Sequence, residues 1–337
     1  MKLRDRFRLF LSSVGLLILI FDSRTALTGI QEGIELCLRT LIPSLFPFCV
    51  FGTMLTETML GSKIRIFRPI SKGFRIPEGS ESLLIIGWLG GYPIGAQSVA
   101  DAYHNGHLSP HDARKLAIVC NNPGPAFLFG VLGTIIPGRR YLFLLWMVQI
   151  LSSLLVALMI PGSPQQMKSI RRNNSTPFTQ ILKKSSISMV NICASVVLFR
   201  MVLEFAQRWF LWAVPDQCSI ILSGILELSN GCIRLTDVSD PAIQLILASG
   251  LLCFGGFCVW MQTISVCRGL TISRYLIWKT VQSILCMSIT SMVVLPWQKS
   301  IYTFSVFISL LAYFLVSNRK KGIAFGKALL YNKKSAI

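Results

Sequence analysis

The chain has 337 residues, of which 53% are hydrophobic and only 14% charged, and its formal net charge is +19. A soluble domain carries roughly 25% charged residues, so this composition excludes an ordinary soluble globular protein. Most of the 33 Lys and Arg residues fall in four polar stretches, at the N-terminus, 63–75, 168–184 and 319–334. That segregation excludes a nucleic-acid surface. Basic stretches between and beyond apolar segments are instead cytoplasmic loops beside an anionic inner leaflet. The expected class is an all-α, polytopic membrane protein whose first partner is the lipid bilayer.

In chain order, Lys2, Arg4, Arg6 and Arg8 precede an apolar run at 9–21, as in a signal peptide. Asp22-Ser23-Arg24 follows in place of a small-x-small cleavage site. Residues 1–24 are therefore expected to be a retained anchor that starts in the cytoplasm. Residues 26–40 have the mixed polarity of an amphipathic helix. They lead into Pro43 and Pro47, four apart in an apolar stretch, where lost backbone donors are expected to kink or break a helix. In lipid such a break survives only where protein or a wet cavity satisfies the freed carbonyls.

After a basic loop at 61–79, residues 82–102 carry Gly90-Gly91-Tyr92-Pro93-Ile94-Gly95-Ala96-Gln97-Ser98. Ser109, Pro110 and Asp112 then predict an N-cap, a first helical position and an acid facing the positive dipole end. That helix runs into Asn121-Asn122-Pro123-Gly124-Pro125. The prolines and the glycine stop the ladder, and two carboxamides stand beside the exposed backbone groups. Residues 141–160 form an apolar run long enough for a hydrocarbon core of about 30 Å.

The Ser-, Asn- and Pro-rich basic segment 161–185 is expected to link a first half, 25–160, to a second, 186–317. The second half holds apolar segments at 187–203 and 219–235, the latter with Glu227. It continues with 242–266, then spans at 275–295 and 300–316, before a basic tail at 318–337. Within 242–266, Gly255-Gly256-Phe257-Cys258-Val259-Trp260-Met261-Gln262-Thr263 echoes the first Gly-Gly motif. A helix breaker with a buried amide, once per half, predicts a duplicated transporter whose site forms where interrupted helices meet. The predicted breaks are at Pro43, Pro47, Pro93, Pro123, Gly124, Pro125 and Gly255.

The candidate solute-binding residues are Gly91, Tyr92, Gln97, Asn121, Asn122, Gly256 and Gln262. Each amide has a plainer alternative, as a turn cap or as interhelical hydrogen-bond glue. Glu227 stands alone in an apolar stretch. An intramembrane carboxylate suits a coupling proton or cation, the alternatives being an internal salt bridge or a position close to the interface. His104, His107 and His111 share a spacing that suits a metal, but Asn105-Gly106 and Ser109-Pro110 interrupt any helix there, so no metal is expected. Ten cysteines include no C-x-x-C pair and are read as small buried hydrophobes. No Walker loop, H-E-x-x-H or nucleophile–histidine–acid set occurs. Neither an enzyme nor a cofactor is expected.

Gly91-Tyr92-Pro93-Ile94-Gly95-Ala96, Cys120-Asn121-Asn122-Pro123-Gly124-Pro125 with Phe127 and Gly130, Glu227 with Gly231, and Gly255-Gly256-Phe257 with Gln262 occur in order. Together they resemble the YlbJ-type sporulation integral membrane proteins of the nucleoside-recognition, or Gate-domain, superfamily. The resemblance runs over residues 25–317. It departs from the pattern at Gly90-Gly91, where Ser-Gly is expected. It implies a multi-pass protein of the bacterial inner membrane, distantly related to concentrative nucleoside transporters, that moves dipicolinate toward the forespore. Two classes stand beside each other at this stage. One is a secondary transporter of a small anionic or nucleoside-like solute. The other is a non-transporting membrane protein that gates or assembles with a partner or a second copy of itself.

Overall fold

The computed structural model describes residues 3–62, 64–161, 166–168, 176–272 and 274–296, with 301, 305, 308 and 309 beyond them. The basic tail and all but those four positions of the expected span at 300–316 lie outside the described residues. The described residues are helical, with no strand among them.

The first half contains α1 (Leu3–Phe21), α2 (Ser23–Leu36), α3 (Ile42–Met59), α4 (Arg68–Gly73), α5 (Glu81–Gly90), α6 (Ile94–His104), α7 (Pro110–Val119) and α8 (Arg139–Met159). The second contains α9 (Phe178–Trp209), α10 (Asp216–Leu226), α11 (Leu228–Ile233), α12 (Pro241–Phe254), α13 (Gly256–Val266) and α14 (Tyr275–Val294). Among the described residues, five helical runs are long and apolar enough to cross a membrane: Ser23–Met59, Arg139–Met159, Phe178–Trp209, Pro241–Val266 and Tyr275–Val294. Their outward residues, such as Phe51, Phe143 and Val190, are exposed and apolar, whereas Gln149, Ser152, Lys279 and Gln282 are buried. Apolar outside and polar within is the arrangement a bilayer selects. The chain is an all-α polytopic membrane protein.

The proline pair does not break its helix. α2 passes through a π-helical turn at Cys37–Leu41 straight into α3, which holds Pro43 in its first turn and Pro47 inside. The wider turn lies just where Pro43 would otherwise crowd the carbonyl four residues back. α2 lies along α9, and there Gly29 and Gly33 meet backbone. A Cβ on them would fall 2.7 Å from the Met201 Cα and 2.9 Å from the Val197 Cα, a small-xxx-small contact. α9 begins at Phe178, so a helix occupies the end of the expected linker. The basic segment after α3 is partly folded. Arg68 donates to Glu78 at 3.0 Å, and that bond, with Lys72 nearby, holds the Glu78 carboxyl below its usual range.

Two interrupted helices double back on themselves. α5 and α6 form one hairpin, its tip at Gly91 in the left-handed region (φ 72°), and Gly95 returns against Gly87. α10 and α11 form the other, with Gly231 against Gly224. Two more interrupted helices run onward: α7 into a π-helical stretch at Ala126–Val131, and α12 into α13 through Gly255. The order long helix, hairpin, interrupted helix, long helix therefore occurs in each half. In that order the first Gly-Gly motif sits on a hairpin and the second on a through-running helix. The nine-residue echo does not mark equivalent places. Both motifs answer one local need, a positive φ that glycine adopts without strain: 72° at Gly91 and 79° at Gly255.

The hairpins close only because their facing residues lack side chains. Gly95→Ala would drive a Cβ into the Cys120 carbonyl oxygen, and Gly231→Ala into the Gly224 backbone. Each is expected to destabilise the protein by about 1–3 kcal/mol or more. Gly73→Ala, with nothing within 4 Å of the new methyl group, should stay within about 0.5 kcal/mol of wild type. Thermal unfolding of the purified variants in detergent measures the difference.

Candidate functional site

All four interruptions reach one cavity. Its wall takes Gly90, Gly91 and Tyr92 from the first hairpin tip, and Glu227, Leu228 and Ser229 from the second. Gly124, Ala126 and Phe127 come from the break after α7, and Cys258, Val259 and Gln262 from the start of α13. Backbone contact fixes each tip on its neighbour. A Cβ at Gly91 would sit 2.6 Å from the Gly124 nitrogen, and one at Gly256 would sit 2.9 Å from the Gly224 oxygen. The cavity is narrow, with a volume of about 40 Å³, against roughly 300–1,000 Å³ for sites that take drug-sized ligands.

Three polar groups give this cavity its chemistry. The Tyr92 hydroxyl is buried with no partner among the described residues, and its ring lies 6.4 Å from that of Phe127. Gln262 is buried, its amide directed at the Cys258 sulfur at 3.3 Å. Glu227 is the N-cap of α11. Its carboxylate accepts from Ser229 N at 3.0 Å and from Asn230 N and Nδ2 at 2.8 Å each. The salt-bridge alternative for Glu227 is thereby corrected: its partners are neutral amides, and it makes no ion pair among the described residues. A negative side chain at a helix N-terminus is favoured by the orphan N–H groups and the dipole there.

Asn121 and Asn122 do not face the cavity. They belong to a second, fully buried cluster whose origin lies in the prolines. In an α-helix the carbonyls of residues 119 and 121 would accept from the N–H of residues 123 and 125. Both of those are proline and have none. Asn122 Nδ2 donates instead to the Val119 carbonyl at 2.7 Å. Lys279 of α14 donates to the Asn121 carbonyl, and also to Asn122 Oδ1 at 3.1 Å and Gln282 Oε1 at 3.0 Å. Gln282 Nε2 reaches Asn122 Oδ1 at 2.7 Å, and Gln149 of α8 donates to the Pro123 carbonyl at 2.5 Å. The Asn121 amide binds Thr263 at 2.7 Å and the Tyr275 hydroxyl at 2.6 Å. The break after α7 is thus stitched to α8, α13 and α14.

Of the residues proposed from sequence, the cavity brings together Gly91, Tyr92, Glu227 and Gln262. Gln97 is half-buried on α6 and Gly256 packs behind the second hairpin, both off the wall. The breaks at Pro93, Pro123, Gly124, Pro125 and Gly255 fall in interruptions as expected. Sequence reasoning missed Lys279, although a lone cation in an apolar span is the same signal that singled out Glu227. The breaks named from sequence also do not include Glu227 itself, where glutamate is an unusual cap.

The fold and its buried polar clusters define an integral membrane protein built on interrupted helices. Over 288 residues the chain is 25% identical to the sporulation integral membrane protein YlbJ of Bacillus subtilis (strain 168), covering 70% of this chain and 69% of that one. No protein-family model matches the chain, and no solved structure matches it.

Asn122→Ala deprives both Lys279 and Gln282 of an acceptor in the interior. A buried donor left unpaired costs about 1–3 kcal/mol, so a loss of about 2 kcal/mol or more is expected in detergent unfolding. Asn105→Ala removes only an exposed bond to the Asp101 carbonyl within its own turn and should change stability by less than about 0.5 kcal/mol.

Proposed function

We propose that this chain is a secondary transporter of a small polar, anionic solute. The observation that carries the reading is the convergence of two hairpin tips and two helix breaks on one cavity that holds Glu227, Tyr92 and Gln262. Interrupted helices facing each other near the midplane are where secondary transporters bind solute. The start of α13, which no side chain caps, lies beside the cavity, and the Tyr92 hydroxyl and the Gln262 amide supply further donors. Glu227 is the coupling group. Its negative charge and that of the solute repel in so small a space, so solute and proton enter together. The cavity is narrower than any such solute, and loading requires the hairpin tips to part from the facing breaks.

Membership of the Gate-domain superfamily, a place in the bacterial inner membrane with the N-terminus in the cytoplasm, and a role in sporulation belong to the same proposal. The similarity to a sporulation integral membrane protein supports the sporulation role. The superfamily and dipicolinate, the first solute to try, rest on the motif resemblance, and the orientation on the placement of the basic loops. No enzymatic activity is proposed. A second reading, a non-transporting membrane protein that gates or assembles with a partner, is favoured by the internal pairing of Asn121 and Asn122 and by the small cavity.

The test is uptake of labelled dipicolinate, with a nucleoside panel beside it, into proteoliposomes under a proton or a sodium gradient. Saturable flux is expected, with Glu227→Gln lowering it at least about tenfold and Gln262→Ala raising KM while the protein stays folded. Absence of flux for every solute under both gradients would sink the transport reading and favour the second.

A further inference from the structure

Lys279 presents an arrangement that the proposed mechanism does not use. Its ammonium is buried inside a membrane-crossing helix, and its three hydrogens meet three neutral oxygens: the Asn121 carbonyl, Asn122 Oδ1 and Gln282 Oε1. The titratable groups facing it are Tyr275 on its own helix, with the ring 5.9 Å away, Cys120 at the end of α7 and Cys253 on α12. No carboxylate pairs with it among the described residues. A charge so placed is costly and by default functional. A salt-bridged lysine would bring its own acid. This one has instead a shell of a backbone carbonyl freed by a helix break and side-chain carboxamides. That is the oxygen set with which unwound transporter helices hold a metal cation, and with which carbonyl-lined filters replace an ion's hydration shell. Two more buried oxygens in the cluster, Asn121 Oδ1 and Gln149 Oε1, have no hydrogen-bond partner among the described residues.

We infer that the Lys279 ammonium occupies an oxygen-lined cation site and stands where an alkali metal ion would otherwise bind. The tethered ammonium donates to the carbonyl that Pro125 orphans and locks the break after α7 to α14, so the protein needs no sodium or potassium to hold this part of its fold. Only the site's consequence for coupling, a carrier indifferent to sodium, rests on the transport reading above.

The prediction concerns what remains when the tether is removed. Lys279→Ala leaves the same oxygens around a space of cationic preference, and an alkali ion should enter it. The full-length protein in detergent is unfolded thermally in equal concentrations of sodium, potassium or choline chloride. Wild type should unfold at the same temperature in all three. The alanine variant should unfold lower in choline and rise by at least about 3 °C, saturably, in one alkali salt, as a ligand of the native state requires. Adding Asn122→Ala should abolish that rise. Lys279→Ser, which supplies a further oxygen, serves if the alanine variant does not fold. The inference is overturned if a folded variant shows no alkali-specific rise, if wild type shows the same rise, or if both variants aggregate in every salt. The readout needs no transported solute. Absence of flux therefore leaves it standing, and flux without an alkali-specific rise removes it while sparing the transport reading.

Discussion

Pro123 and Pro125 strip the carbonyls of Val119 and Asn121 of their helical partners in the middle of an apolar protein, and much of the structure answers that deficit. With no water to take up a freed carbonyl inside a bilayer, each must find a donor from protein. Asn122 reaches back to Val119, Lys279 reaches across to Asn121, and Gln149 takes the next exposed carbonyl, that of Pro123. Those three donors come from three different elements. Meeting the deficit therefore fixes how α7, α8 and α14 sit against one another. It also explains why polar residues lie inside and apolar ones outside.

The second constraint is close backbone approach. The tip of each hairpin can rest on the break of a neighbouring helix only where neither carries a Cβ, as at Gly91 on Gly124 and Gly256 on Gly224. These contacts bring Tyr92, Glu227 and Gln262, far apart in the chain, to one wall. The cavity thus follows from the same breaks that the polar cluster stabilises. The two centres divide the work: the cluster holds a break in place, and the cavity gathers Glu227, Gln262 and the Tyr92 hydroxyl between the tips.

Much of this was legible in the chain. Hydropathy and the placement of Lys and Arg gave the class, because an apolar run cannot sit in water and a basic loop does not cross the membrane readily. The motif at Asn121–Pro125 announced a break, since proline lacks the donor wherever it stands, and Glu227 announced itself as a lone acid. Three things misled. Pro43 and Pro47 carry the same signal as Pro123, yet a π-helical turn absorbs them and the helix continues. The Gly-Gly echo suggested equivalent places in two halves, whereas positive φ is a local need that arises at a hairpin tip and in a through-running helix alike. The carboxamides of Asn121 and Asn122 looked free for a solute, because no local pattern shows that a lysine more than 150 residues on will occupy them.

That the chain is helical, membrane-embedded and interrupted, and where most of the interruptions fall, was readable along the sequence. These follow from the chemistry of single residues and their near neighbours: the missing N–H of proline, the missing Cβ of glycine, the length of an apolar run. Packing in three dimensions sets which interruptions double back and which run on, and which buried polar groups pair with each other and which face a cavity. Those outcomes depend on contacts between segments distant in the chain. A side chain's partners are set by the three-dimensional packing, and no spacing along the sequence encodes them.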